Sequence, residues 1–212
     1  MNDDQPIIYI VDDDIDVLKS TEMLLTSKGW DVQCSSSASQ FLNEFSAERP
    51  GCLVLDVQMP EMNGLDLQKM LSDWSMDIPI IFITGAGSVA NSVTALKAGA
   101  ADFIQKPVLG DTLIAAIENA LEKQDQQRRH KHALKVAHDR FAELTDREWE
   151  VLTQMVSGPL ILSSKEVARE LDISHRTVEH HRANIMEKTR SRSIPELIRL
   201  ASFIGLANPD LE

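Results

Sequence analysis

Residues 52–74 read CLVLDVQMPEMNGLDLQKMLSDW, and this stretch decides the fold. Its apolar run at 52–55 ends in Asp56, and a segment with helical spacing of apolar residues follows at 65–74. A short, continuously apolar run is typical of a strand that is buried on both faces of a parallel sheet. A strand followed by a helix is also the repeating unit of such a sheet. The stretch therefore predicts one βα unit of a larger α/β domain.

The same alternation of short apolar runs and longer helical patterns extends on both sides of this unit. The other predicted strands are 7–11, 31–34, 78–84 and 102–105, and the other predicted helices are 17–27, 38–45, 88–98 and a segment from Leu109 onward. Regular alternation implies right-handed crossovers onto a parallel sheet. For a domain of about 120 residues we expect a doubly wound, flavodoxin-like sheet of five strands in the order 2-1-3-4-5.

The rest of the chain predicts helices without strands. The polar segment 124–143 contains no Gly or Pro and predicts a helical linker. Leu134, Ala137, Phe141 and, just after the segment, Leu144 follow one another at 3-4-3 spacing, which fits either a short coiled-coil seam or one helix packed on a domain. Four further helices are expected in 144–212, and the first opens with a capping box formed by Thr145 and Glu148. We thus expect two domains, 1–123 and 144–212, joined by the linker.

The net negative charge of the chain comes entirely from its first half. The formal net charge is −12. Residues 1–123 hold 7 Lys and Arg against 19 Asp and Glu, whereas residues 124–212 hold 14 against 14. DNA binding depends on Lys and Arg that neutralise phosphates, so only the second half is suited to it.

Cysteine usage and the absence of long apolar stretches indicate the compartment. The two cysteines, Cys34 and Cys52, lie in apolar runs. This placement indicates buried thiols in a reducing compartment rather than disulfides. The first residues have no basic segment followed by an apolar one, and no apolar stretch approaches the ~18 residues of a membrane span. We expect a cytoplasmic protein that does not bind membranes.

Polar residues follow four of the five predicted strands. They are Asp12 and Asp13 after the first strand, Asp56 after the third, Thr84 at the end of the fourth and Lys106 after the fifth. The carboxyl ends of parallel strands form the ligand site of such sheets. Three converging carboxylates would repel one another, and Mg²⁺, which prefers oxygen ligands, would offset that repulsion together with a lysine. A carboxylate in such a site can accept a phosphoryl group, and Asp56 is the central candidate.

The acidic residues also have simpler interpretations. An isolated Asp-Asp pair such as Asp12-Asp13 is more often a helix cap or part of a solvated loop. The spacing of the aspartates from Asp12 onward imitates the start of a calcium loop. Such a loop, however, needs Gly where Val17 stands and Glu where Met23 stands. The calcium interpretation fails, and only the complete set of strand-end residues supports the phosphoryl site.

The complete set of motifs resembles the receiver domains of two-component response regulators over residues 6–123. The motifs are VDDD at 11–14, LDVQMPEMNG at 55–64, Thr84-Gly85, KAGA at 97–100 and FIQKP at 103–107. The resemblance implies that Asp56 is the phosphoacceptor, that Asp13 binds Mg²⁺ directly and that Asp12 binds it through water.

The resemblance also implies roles for the other residues of the site. Gln58 would add its backbone carbonyl to the metal ligands. Thr84 would hydrogen-bond the phosphoryl group, and Lys106 would pair with it. Phe103 would occupy the aromatic switch position, where it would act by packing alone because it has no hydroxyl. A cis peptide bond between Lys106 and Pro107 is implied as well.

The second half contains one segment with local positive charge. Residues 173–188, ISHRTVEHHRANIMEK, predict a helix with Val178 and Ile185 facing a core. Residues 173–192 hold five Lys and Arg against two acidic residues. This pattern suits a helix in the major groove of DNA, although a solvated basic helix in a small bundle has the same pattern.

Residues 144–206 resemble the LuxR-type helix-turn-helix domain of the NarL/FixJ family of regulators, which opens with a stretch like LTDRE at 144–148. The resemblance implies a scaffold helix at 164–171, a recognition helix at 174–188 and double-stranded DNA as partner. The implied base-facing residues are Glu179, His180 and Ala183, and the implied phosphate contacts are Arg176, Thr177, Arg182, Asn184 and Lys188. The chain departs from the family in a longer loop at 159–164 and in His180, which stands where a small aliphatic residue is common.

Together the two resemblances imply a phosphorylation-dependent transcriptional regulator rather than an enzyme. A sensor histidine kinase would phosphorylate Asp56, and the face formed by 88–120 would then favour a homodimer that binds paired half-sites. RNA polymerase is a further expected partner. Two alternatives stay open on the residues alone. One is a phosphatase or metal-dependent hydrolase that uses the same carboxylates, and the other is a regulator whose helical tail binds protein.

Overall fold

The computed structural model describes residues 5–46, 49–85, 99–156 and 162–206. The chain forms two compact units, Met1–Gln127 and Arg128–Glu212. In the described residues, no helix combines the length and the apolar character that crossing a bilayer requires.

The first unit is built on a five-stranded, fully parallel sheet. The strands are β1 Ile7–Val11, β2 Asp31–Ser35, β3 Gly51–Asp56, β4 Ile80–Thr84 and β5 Asp102–Gln105. They pair in the order β2-β1-β3-β4-β5. The predicted sheet and its strand order are therefore confirmed.

Helices cover both faces of this sheet. The helices are α1 Ile15–Ser27, α2 Ala38–Glu44, α3 Gly64–Asp73 and the long α4 Gly110–Phe141, whose first turns belong to this unit. Alternate strand residues enter two separate apolar clusters. One cluster contains Phe41 of α2 and Leu67 of α3, and the other contains Leu25 of α1 and Ile117 of α4. The predicted helix at 88–98 lies outside the described residues.

Local features fix the loops that follow β1 and β3. The Asp14 side chain accepts hydrogen bonds from the first backbone amides of α1, and Asn63 caps α3 in the same way. Glycine is required at the start of α3, because a Cβ atom at Gly64 would lie 2.3 Å from the carbonyl oxygen of Asp56. The backbone after Asp56 is thereby held close to the end of its own strand.

The second unit is entirely helical in the residues described. After the end of α4 it contains α5 Asp146–Val156, α6 Ser164–Glu170, α7 His175–Lys188 and α8 Ile194–Phe203. Val151, Val167, Val178 and Leu197 meet in its apolar core. The four helices predicted after residue 144 are confirmed, with bounds that agree to within a residue or two where they are described.

Helix α4 covers most of the predicted linker 124–143. In the first unit, the buried Gln124 accepts a hydrogen bond from the Gly51 amide (3.2 Å) and donates one to the Asp77 carbonyl (3.1 Å). In the second unit, Ala137 and Phe141 belong to the apolar core. The division into 1–123, 124–143 and 144–212 as functional segments stays a prediction.

Candidate functional site

Three carboxylates converge at the carboxyl end of the sheet in the first unit. One oxygen each from Asp12, Asp13 and Asp56 lie within 4.8 Å of one another. Asp12 follows β1 and Asp56 ends β3, and these strands are neighbours in the sheet. Asp12 and Asp56 are 3% and 5% exposed, whereas Asp13 is open to solvent. Topology thus brings together the acidic residues that the sequence placed at strand ends.

Lys106 joins two of these carboxylates. Its Nζ atom lies 2.9 Å from Oδ2 of Asp12 and 3.0 Å from Oδ1 of Asp56. Burial alone would lower the pKa of Lys106, but the hydrogen bonds to both carboxylates outweigh burial and raise it. The side chain is therefore an ammonium group at neutral pH. The Lys106–Pro107 peptide bond is cis.

Asp56 is held by both of its carboxylate oxygens. Lys106 contacts Oδ1, and the Gln58 amide donates a hydrogen bond of 3.0 Å to Oδ2. Burial raises the pKa of Asp56, while Lys106 and the Gln58 amide act in the opposite direction. The arrangement presents an oriented oxygen nucleophile beside a fixed positive charge, which is what attack on a phosphoryl group requires.

Thr84 contributes an unused hydroxyl near this site. It ends β4, the strand next to β3, and it is 2% exposed. Among the residues that the structure describes, nothing hydrogen-bonds its Oγ1 atom. A buried hydroxyl without a partner is rare, and at a functional site it is a donor available for a bound group.

Phe103 lies on β5 opposite Phe82 of β4. Its ring is half-buried, packs on the apolar cluster beneath the site and stands 6.4 Å from the Phe82 ring between centroids. This placement is compatible with a packing role, and the predicted switch stays a prediction.

Helix α7 presents a polar, solvent-exposed face in the second unit. Val178 and Ile185 are fully buried, as the sequence predicted. The base-facing and phosphate-contact candidates that are exposed are Arg176, Thr177, Glu179, His180 and Ala183. Asn184 is half-buried, with its Nδ2 atom 3.5 Å from Nε2 of His180. The amino-terminal half of α7 therefore has the accessible side chains that a recognition helix needs.

Two other candidates on α7 have partners inside the unit. The Arg182 guanidinium donates a hydrogen bond to the hydroxyl of Ser164 on α6 and lies 3.5 Å from Glu179. The Lys188 ammonium lies 2.6 Å from Oε2 of Glu148, whose side chain is only 4% exposed. No pattern in the sequence indicates the Lys188–Glu148 pair. Lys188 thus has a structural partner, which competes with its predicted contact with phosphate.

Comparison with known families divides the chain in the same way. Residues 8–118 match the response regulator receiver domain, and residues 142–201 match the LuxR family of bacterial regulatory proteins. The receiver match contains all three converging carboxylates, Thr84 and Lys106. The LuxR-family match contains α6 and α7.

Similar proteins share both domains. The response regulator protein TodT from Pseudomonas putida is 44% identical over 200 residues, which cover 94% of this chain and 87% of TodT. The transcriptional regulatory protein FixJ from Rhizobium meliloti is 42% identical over 194 residues, covering 92% of this chain and 94% of FixJ. Among solved structures, the response regulator StyR gives a TM-score of 0.78 at 39% identity and covers 93% of this chain and 98% of StyR. Full-length FixJ from B. japonicum gives a TM-score of 0.60 at 38% identity over 97% and 100% of the two chains.

Proposed function

The chain belongs to the NarL/FixJ family of response regulators, in which a receiver domain precedes a LuxR-type DNA-binding domain, and we propose that phosphorylation of Asp56 controls its binding to DNA. It is a transcriptional response regulator. The observation that carries the proposal is the position of Asp56, with Lys106 on one oxygen, the Gln58 amide on the other and two further carboxylates within 4.8 Å. The phosphodonor is the phosphohistidine of a sensor kinase. The protein works in the cytoplasm, where its free thiols stay reduced.

The donor set fits Mg²⁺. Carboxylate oxygens in a partly open cluster are the ligands that this hard cation prefers, and water completes its coordination. Asp13 and Asp56 would bind the ion directly, Asp12 through water and Gln58 through its backbone carbonyl. The bound ion would supply positive charge to the oxygens of the transferring phosphoryl group.

The side chains of the receiver perform the transfer itself. A carboxylate oxygen of Asp56 attacks phosphorus, so that a P–O bond forms while the P–N bond to the donor imidazole breaks and the imidazole leaves. Lys106 neutralises charge on the phosphoryl oxygens as it now neutralises Asp56. The product is an acyl phosphate at the carboxyl end of β3. The phosphorylated receiver is the signalling state, and hydrolysis of the acyl phosphate returns it to the resting state. Sustained turnover of the phosphodonor is therefore not expected.

The switch begins at Thr84. Its unused hydroxyl would donate a hydrogen bond to the new phosphoryl group, and Phe103 would repack as Thr84 moves toward that group. This change favours a homodimer through the face formed by 88–120, part of which lies outside the described residues. The dimer then places two copies of α7 on paired half-sites, where RNA polymerase is a further partner. Phosphorylation shifts the equilibrium between the inactive and the active conformation only as far as the interactions of the phosphoryl group differ between the two conformations.

Thr84→Val is expected to leave the phosphorylation of Asp56 intact but to lower the resulting gain in DNA affinity about tenfold, since a charge-assisted hydrogen bond is lost. Valine has the shape of threonine without the donor, so the unphosphorylated receiver should keep its free energy of unfolding or gain up to about 1 kcal/mol. DNA affinity with and without phosphodonor measures the effect. Thr84→Ser, which keeps the hydroxyl, is the control. A valine variant that responds to phosphodonor as fully as the wild type would contradict the role of Thr84.

Selection from a random-sequence duplex library tests the whole proposal. The full-length protein is used with and without acetyl phosphate and Mg²⁺. We expect a paired motif to be enriched much more strongly with phosphodonor, and the affinity for it to fall steeply with added salt, because Lys and Arg release counterions from the phosphates. If no sequence is enriched under either condition, the second unit does not bind DNA specifically and the proposal fails.

A further inference from the structure

Glu179 is an acidic residue on the exposed face of α7. Its side chain is 50% exposed, and it lies in the first half of the helix, where a recognition helix contacts base edges. A carboxylate at this position would be repelled by DNA phosphates. It cannot serve as a phosphate contact, and its presence on a DNA-facing helix needs another explanation.

The Glu179 carboxylate is held in place by neighbouring side chains. Arg182, one turn along α7, lies 3.5 Å from Oε1, and Nε2 of His175, one turn before, lies 3.8 Å from the same oxygen. The Ser164 hydroxyl and the charges of Arg182 and His175 lower the pKa of Glu179, and burial opposes them. The side chain is therefore ionised and acts only as a hydrogen-bond acceptor at neutral pH.

Ser164 connects Arg182 to the scaffold helix. It is 5% exposed on α6, and its hydroxyl accepts a hydrogen bond from Arg182, the residue that pairs with Glu179. Arg182 is itself mostly covered, with 27% of its side chain exposed. Arg182, which is anchored on α6 through Ser164, thus fixes the direction of the carboxylate. An exposed carboxylate without a binding role does not require a fixed orientation.

The major groove offers a restricted set of donors to such a carboxylate. Cytosine N4 and adenine N6 carry amino groups, whereas guanine O6 and N7 and thymine O4 are acceptors. Resting on the proposed DNA-binding function, we propose that Glu179 reads an exocyclic amino group, cytosine N4 or adenine N6, at one position of each half-site. Guanine and thymine at this position would face the carboxylate with acceptors and be rejected. Arg182 and Ser164 are positioning residues for this contact.

Base selectivity at a single position is the measurement that tests the contact. The paired motif enriched by the full-length protein is rebuilt with each of the four bases at every position, and the affinities of the wild type and of Glu179→Ala are compared. We expect one position in each half-site where the wild type prefers cytosine or adenine over guanine and thymine by about tenfold. Glu179→Ala should lose this preference at that position alone and keep its affinity for unrelated duplex within about twofold, because no phosphate contact is removed.

Base analogues identify the amino group itself. Purine in place of adenine, or 2-pyrimidinone in place of cytosine, removes only the exocyclic amine. The substitution should weaken the wild type about tenfold and leave Glu179→Ala unchanged. The base that shows the effect distinguishes the two sources of the amine.

Failure of this inference is distinguishable from failure of the proposed function. If the wild type enriches a motif and Glu179→Ala keeps every base preference, Glu179 reads no base and the inference is wrong. The same conclusion follows if the preference that disappears is for guanine or thymine. If the wild type enriches no sequence at all, the proposed function fails and the inference falls with it.

Discussion

Asp56→Asn is expected to abolish phosphorylation of the receiver and, with it, the phosphodonor-dependent gain in DNA binding. An amide nitrogen and oxygen in the same place keep the size of the side chain but remove the charged nucleophile. The neighbouring Lys106 would keep Asp12 as its partner at 2.9 Å, so the fold should survive. Incubation with acetyl phosphate and Mg²⁺, followed by intact-protein mass measurement, should show a single added phosphoryl group in the wild type and none in the variant. Hydroxylamine should remove the group, because it cleaves acyl phosphates.

A matched control distinguishes the effect of losing the nucleophile from the effect of losing one negative charge. Asp66 is an exposed aspartate in the first turn of α3, outside the carboxylate cluster. Asp66→Asn should be phosphorylated and should respond to phosphodonor like the wild type. If Asp56→Asn still gains a hydroxylamine-sensitive phosphoryl group, another carboxylate of the cluster is the nucleophile, and the assignment of Asp56 is wrong.

The strands of the receiver could be predicted closely because each is a short apolar run buried on both faces. The largest error is at the start of β4, which was predicted at residue 78 but begins at Ile80. The reason is Pro79, which has no amide hydrogen for the ladder and offers only its carbonyl, to the amide of Leu53. Hydrophobicity alone does not distinguish a residue that pairs from one that merely precedes the pairing.

The carboxylate cluster was equally accessible to sequence reasoning, because strand ends in a parallel sheet must meet at one edge. The Thr84 hydroxyl, which has no hydrogen-bond partner among the described residues, could not be predicted in this way, because its state depends on which donors and acceptors surround a buried side chain. The role of Lys188 is a similar case. A lysine at the end of a basic helix is typical of a contact with DNA phosphate. Its proximity to Glu148, 40 residues earlier, is set only by the packing of α7 on α5.

This packing leads to a second large effect, on the stability of the second unit. Glu148 is buried, accepts hydrogen bonds from the Thr145 amide (2.9 Å) and hydroxyl (3.0 Å), and pairs with Lys188. Burial would raise the pKa of Glu148, but the hydrogen bonds from Lys188 and Thr145 prevail and lower it from 4.5 to about 2. The amino end of α5 and the last turn of α7 thus share one ionised carboxylate.

Lys188→Met is therefore expected to lower the free energy of unfolding of the second unit by about 3 kcal/mol, because it leaves a buried carboxylate without its counter-charge. The estimate is at the low end for a buried pair, since the Lys188 side chain keeps 32% exposure to solvent. Denaturant unfolding of the full-length chain can be followed by Trp149, which packs edge-on against Phe141, in a background where the other two tryptophans are replaced by Phe. Lys165→Met, at an exposed position of α6, should change stability by no more than about 0.5 kcal/mol.

The effect of pH gives an independent check on the same pair. A carboxylate whose pKa is lowered on folding contributes stability above its unfolded value of 4.5, and that contribution is lost as the pH falls through about 2. The stability difference between the wild type and Glu148→Gln should be constant above pH 5 and shrink below 4.5. In DNA binding, Lys188→Met should leave the salt dependence unchanged under conditions where both proteins are folded. If stability is unaffected while the salt slope falls by about one, Lys188 contacts a phosphate after all, and its pairing with Glu148 does not persist on DNA.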